Sequence, residues 1–97
     1  MYARVTTITT PADRVDEAIR IYQDSVVPVL KQQPGYRSTL LLNDRASGKG
    51  VAISVWETQQ DLQASEASGF YQEQLAKFAP LLSAPPVREV FELAVSA

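Results

Sequence analysis

Residues 32–57 read QQPGYRSTLLLNDRASGKGVAISVWE. Pro34-Gly35 is a strong helix stop. Residues 36–43 (YRSTLLLN) and 51–57 (VAISVWE) carry the apolar and β-branched run of strands. Between them, DRASGKG holds the Asp, Ser and Gly that a chain reversal needs. The stretch predicts the end of a helix followed by an antiparallel hairpin. Trp56, the only tryptophan of the chain, closes it.

Outward from the hairpin the pattern continues. Residues 2–9 (YARVTTIT) alternate and predict a first strand. Thr10 with Pro11, or alternatively Asp13, starts a helix whose apolar positions are Val15, Ala18, Ile19, Tyr22 and Val26. Asp16 and Arg20, four apart, form an expected pair on its wet face. Pro28 predicts a kink or restart near Val26–Val27. Thr58, with Asp61 three residues on, predicts the cap of a second helix. That helix breaks at Ser68-Gly69 and resumes with Tyr71, Leu75, Phe78 and Leu82 at helical spacing. Pro80 and Pro85-Pro86 close it, and residues 87–95 (VREVFELAV) predict the last strand.

The order β-α-β-β-α-β is the ferredoxin-like, split-βαβ arrangement. The expected fold is therefore α+β: one domain over residues 1–97, with a four-stranded antiparallel sheet and both helices on one face. Strand three places Val51, Ile53 and Val55 on one side and Ala52, Ser54 and Trp56 on the other. In strand four, Phe91, Leu93 and Val95 oppose Arg88, Val90, Glu92 and Ala94. Neither side reads as a solvated face. A second copy of the chain is expected to cover the side that the helices leave bare, as a two-fold homodimer.

Composition removes several kinds of function. The 97 residues are 45% hydrophobic and 21% charged, with a net charge of −2 and a pI near 5.0. No clustered positive field exists for phosphates, so nucleic acid is not an expected partner. The chain has no cysteine and no histidine. Thiolate chemistry, Ser-His-Asp catalysis, His-zinc sites and His-ligated haem are thereby excluded. No apolar run has the length of a membrane span, and MYARVTTITT lacks the regions of a signal peptide, so a cytoplasmic location is expected.

QQPGYRSTLLLND, then GKGVAISVWETQQDLQASEAS, then FYQEQLAKFAPLLSAPPV, together resemble the antibiotic biosynthesis monooxygenase superfamily. The markers are Pro34-Gly35, Trp56-Glu57, the small-residue helix after them and Pro85-Pro86. The resemblance implies a dimeric α+β barrel with a pocket in each subunit between sheet and helices. It implies oxygenation of aromatic or polyketide-like compounds without a cofactor, or haem degradation, or a non-catalytic binding or accessory role. The haem-degrading pattern needs an Asn in strand one, and a Trp and a His in the helix after strand three. This chain has none of them there, which disfavours haem. Of the Asn-Trp-Tyr-Arg set of the cofactor-free oxygenases, Trp56 matches the strand-three Trp.

The residues name no catalytic group and no metal ligand set. Candidates to line a pocket are Trp56, Tyr22, Tyr71, Phe70 and Phe78. For Phe78, as for Leu75, helical spacing favours core. Tyr22 and Tyr71 need a partner for a buried phenol, which suits a cavity wall. Trp56 fits a wall or packing against the second helix. Arg4, Arg37 and Arg88 lie on strands, where they could hold an anion or pair with Glu89 or Glu92. SGKG, residues 47–50, lacks the second Gly and the Ser/Thr of a phosphate loop and reads as a turn.

Overall fold

A computed structural model describes residues 1–97. Strands β1 (Tyr2–Thr9), β2 (Tyr36–Asp44), β3 (Lys49–Trp56) and β4 (Val87–Glu92) form one antiparallel sheet in the order β2-β3-β1-β4. A 3-10 turn (Ala12–Arg14), α1 (Val15–Ile21), a π-turn (Tyr22–Val26) and α2 (Val27–Leu30) join β1 to β2. Helices α3 (Gln59–Ala67) and α4 (Phe70–Ala76) and a 3-10 turn (Ala79–Leu81) join β3 to β4. This is the ferredoxin-like order. Strand β4 stops at Glu92, short of the expected residue 95, and Leu93 N–H makes one last bond to the Met1 carbonyl at 2.9 Å.

The first helix starts without either expected cap. Thr10 Oγ1 donates instead to the Gly48 carbonyl, and Pro11 occupies the cap position of the opening 3-10 turn. Asp16 meets Arg45 of the hairpin at 2.9 Å rather than Arg20. Pro28 acts upstream of itself. It has no N–H to give, and its ring crowds the carbonyl four residues back. The backbone widens, and Val27 N–H bonds to the Tyr22 carbonyl five residues away. Tyr22, Val26 and Leu30 all remain buried through this change of pitch. Thr58 does cap α3, where its Oγ1 accepts from Asp61 N–H at 3.0 Å.

Register settles the two faces of the sheet. Val5 lies opposite Ile53, Thr7 opposite Val51, Leu40 opposite Ile53, Leu42 opposite Val51 and Ala3 opposite Phe91. These residues, with Val55 and Val87, share the face turned away from the helices. Leu40 and Leu42 are 59% and 53% exposed there. The helix-covered face carries Arg4, Thr6, Thr39, Ser54, Trp56 and Arg88 among its apolar residues. A bulge in β2 between Tyr36 and Ser38 turns Tyr36 onto that same inner face, opposite Trp56.

Gly48 ties the β2–β3 hairpin to the end of β1. Its φ is +78°, and a Cβ there would stand 1.8 Å from the Thr10 carbonyl oxygen. Thr10 N–H bonds to the Gly48 carbonyl at 3.0 Å, so the two backbones cannot separate cheaply. Gly69, between α3 and α4, has φ +86° but open space around a Cβ. Gly48→Ala is expected to lose more than about 2 kcal/mol, and Gly69→Ala only about 1 kcal/mol. Thermal denaturation of the two variants should show a drop in Tm clearly larger for Gly48→Ala. Equal drops would contradict the backbone contact.

Candidate functional site

Alternation along β1 turns Arg4, Thr6 and Ile8 inward, and Arg4 is only 3% exposed. A buried guanidinium requires compensation. Its Nη1 donates to Ser65 Oγ at 2.9 Å and to Glu66 Oε2 at 3.2 Å, both on α3. Its carbon lies 4.1 Å from the centroid of the Tyr71 ring and 5.5 Å from that of Trp56. The cation is thus held between two π faces. Arg88 reaches the same carboxylate from β4, with Nε and Nη2 each at 2.6 Å.

The arginines were expected to find Glu89 or Glu92 on their own sheet. Arg4 and Arg88 find Glu66 instead, because their side chains rise from the inner face beneath α3, whereas Glu89 projects from the outer one. Arg37 pairs with Glu57 at 3.3 Å, and both are more than half exposed. Burial lowers the Arg4 pKa, opposed by its bonds to Glu66. For Glu66 burial works against the charged form. Hydrogen bonds from Arg88 and Arg4 outweigh it and hold the carboxyl below its ordinary value of 4.5. Two guanidiniums against one carboxylate leave the cluster with a surplus positive charge.

Beside Arg4 lies a cavity of about 60 Å³. Arg4, Thr6, Ile8, Leu41, Ala52 and Ser54 form its floor. Tyr22, Val26 and Leu30 close one side, and Phe70, Tyr71, Gln74, Leu75 and Phe78 close the other. The polar groups on its walls are oriented. Tyr71 Oη and Thr6 Oγ1 share a hydrogen bond of 2.9 Å. Tyr22 donates to Thr39 Oγ1, because the Thr39 proton is committed to the Ile53 carbonyl at 2.9 Å. Burial raises the Tyr22 pKa, and the Thr39 bond opposes this. Ser54 Oγ accepts from Trp56 Nε1 at 3.0 Å, which leaves the Ser54 O–H free. Gln74 Oε1 accepts from Lys77 Nζ at 2.7 Å.

Of the five aromatic candidates, Tyr22, Phe70, Tyr71 and Phe78 line this space. Trp56 does not. It is wholly enclosed, set edge-on to Tyr36 at 6.2 Å and stacked beneath Arg4. It holds the arginine rather than the cavity. Thr6, Ser54, Gln74 and Glu66 were not anticipated. Ser54 was within reach, because alternation had already placed it beside Trp56. No set of three His, Cys, Asp or Glu side chains is arranged to hold a metal ion, and no helix is long and apolar enough to cross a membrane.

The sequence profile of the family described as antibiotic biosynthesis monooxygenase matches residues 1–77, from β1 through α4. The chain belongs to this family. Among relatives of this family member is the uncharacterized protein Rv2557 of Mycobacterium tuberculosis, 40% identical over 65 residues. The match takes in 67% of the chain but 29% of that relative, so the chain spans under a third of its length. Two solved structures share the fold. The ActVA-Orf6 monooxygenase of Streptomyces coelicolor, in complex with nanaomycin D, superposes with a TM-score of 0.75 at 18% identity, over 99% of this chain and 89% of that one. SnoaB, a cofactor-independent oxygenase from Streptomyces nogalater, does so with a TM-score of 0.72 at 17% identity, over 98% and 94%.

The depressed Glu66 pKa has a definite sign. The folded state favours the ionised carboxyl, so its contribution is full above the unfolded value of 4.5 and is lost as pH falls through the lower folded value. Glu66→Gln is expected to lose about 2 kcal/mol at pH 7. Chemical denaturation should show the gap between parent and variant narrowing below about pH 4.5. A gap independent of pH would show that Glu66 does not carry this charge.

Proposed function

We propose that this chain is a cofactor-independent monooxygenase of a small aromatic compound and that it works as a homodimer. The observation that carries the reading is Arg4. Its Nη1 serves Ser65 and Glu66, while Nε and Nη2 have no partner in the chain, and the side chain borders an aromatic-walled cavity. A phenolic or enolic substrate set there ionises more readily, because its oxyanion faces a buried cation. Fold alone does not fix chemistry. The family membership and the oxygenase activity of the two structural neighbours agree with what the cavity offers.

The substrate supplies all the electrons. Loss of a proton beside the phenol gives a delocalised carbanion, and its carbon adds O2 to form a peroxide anion. Protonation gives the hydroperoxide, which loses water and leaves a carbonyl. A CH2 group thus becomes C=O, giving up four electrons. One oxygen atom stays on carbon and the other leaves as water. Arg4 holds the oxyanion, the apolar walls exclude water, and the Tyr71 hydroxyl held by Thr6 and the free Ser54 hydroxyl are proton sources on the cavity wall.

The outer sheet face supports the dimer. Val5, Leu40, Leu42, Val51, Ile53 and Phe91 form a continuous apolar surface of a kind that soluble chains seldom leave bare. Light scattering is expected to give twice the chain mass of 10.7 kDa. Ile53→Glu, at the centre of the face, should shift the protein to monomers. A monomeric parent would remove the dimer.

One observation favours a second reading, a structural or accessory dimer with a vestigial pocket. A cavity of about 60 Å³ is several-fold smaller than the roughly 300 Å³ at which small-molecule sites begin. Oxygen uptake against anthrone-like and quinol substrates, without added metal or flavin, separates the two. The enzyme reading expects one O2 consumed per substrate. It also expects Arg4→Met to reduce kcat/KM by about 100- to 1,000-fold. No uptake and no thermal shift by any of these compounds supports the second reading.

A further inference from the structure

A second hollow of about 280 Å³ lies on the far side of Tyr22, between α1, the π-turn and the edge strand β2. Its walls include Ile19, Gln23, Val27, Thr39 and Asn43. Tyr22 and Leu41 belong to both hollows, so they form the partition between them. Together the two spaces enter the size range of sites that hold a drug-sized molecule. Neither is adequate alone: the inner one is too small, and the outer one has no charged group on its walls.

The partition is a buried aromatic side chain with few polar ties. Tyr22 is the first residue of the π-turn, where the regular helical bonding is already interrupted. Its hydroxyl has one tether, the bond to Thr39, and its ring lies tilted at 6.5 Å from Phe78 rather than locked face to face. We infer that the ligand site is bipartite. An elongated aromatic phenol or enol seats its oxyanion at Arg4 and its neutral, hydrogen-bonding end at the amides of Gln23 and Asn43, once Tyr22 swings aside. The inference rests on the inner cavity being the substrate site, and it adds the shape and polarity of the substrate and a residue that controls admission.

Titration with 6-hydroxy-2-naphthoate, whose carboxylate stands in for the oxyanion and whose neutral hydroxyl lies at the far end, tests this without any turnover. In 1H–15N spectra the Arg4 Nε–H reports the inner end, and the side-chain NH2 groups of Gln23 and Asn43 report the outer end. Both sets should shift with one dissociation constant. Tyr22→Phe and Thr39→Val each remove the tether while keeping the bulk, and should tighten binding by about 3- to 10-fold. The two variants are independent, so the misfolding of one, seen in its thermal melt, leaves the other to decide. Gln23→Trp, at an exposed position, should fill the outer hollow and weaken binding at least about 10-fold. Shifts confined to the inner end or to the outer sheet face would overturn the inference, as would an affinity indifferent to Gln23→Trp. Binding as described without oxygen uptake would leave the bipartite site standing and remove the monooxygenase reading. Oxygen uptake unaffected by Gln23→Trp would remove the bipartite site alone.

Discussion

One buried guanidinium organises this domain. Arg4 has left water, and everything that compensates it comes from a different element. Trp56 comes from β3, Ser65 and Glu66 from α3, and Tyr71 from α4, while Arg88 of β4 shares the Glu66 carboxylate as a competing cation. The bonds to Arg4 therefore fix how α3 and α4 sit on the sheet. Yet a buried ion pair seldom stabilises more than a well-packed apolar group of similar size. An apolar residue at position 4 would serve the fold at least as well. What the arginine provides, and an apolar residue could not, is a fixed positive charge beside an aromatic cavity.

The sheet inverts the usual distribution of polarity. Its enclosed face holds Arg4, Thr6, Thr39 and Ser54, whereas its open face holds Val5, Leu40, Val51, Ile53 and Phe91. In a free-standing two-layer protein the opposite is expected. The polar side chains of the inner face are few and lie around Arg4, within an interior that is otherwise apolar. The nine-residue apolar core between its own layers leaves that open face uncovered, and a second copy of the chain would bury it.

Much of the fold was legible because it rests on local signals. Strand alternation separated Ala52, Ser54 and Trp56 from Val51, Ile53 and Val55, and Pro28 marked a break. Thr58 with Asp61 marked a cap. What stayed hidden depends on register between distant segments. Nothing near Arg4 or Arg88 in sequence points to Glu66, because that pairing exists only once β1, β4 and α3 are stacked. The β2 bulge, which brings Tyr36 to Trp56, is equally invisible in YRST. Trp56, large and on the inner face, suits a wall or packing against the second helix. It packs beneath Arg4 and borders a separate hollow against α3 with Ala64 and Ser65, a placement that no local signal in the sequence distinguishes.

The small inner cavity has to enlarge for any aromatic ligand, and the interactions on its two sides are unequal. Moving α4 outward breaks the Tyr71 contact with the desolvated Arg4, worth about 2 kcal/mol. It also breaks the bond from Tyr71 to Thr6, worth about 1 kcal/mol, and it exposes Phe70 and Leu75. Rotating Tyr22 breaks one hydroxyl bond of about 1 kcal/mol and its tilted contact with Phe78, worth about another 1 kcal/mol, in a segment whose backbone bonding is already irregular. The difference, about 1 kcal/mol before any apolar exposure is counted, is a factor of roughly 5 in population. The clamp that holds Arg4 ready for an anion thus also keeps the α4 side shut. A ligand reaches Arg4 past the weaker wall, beneath the π-turn that Pro28 imposes.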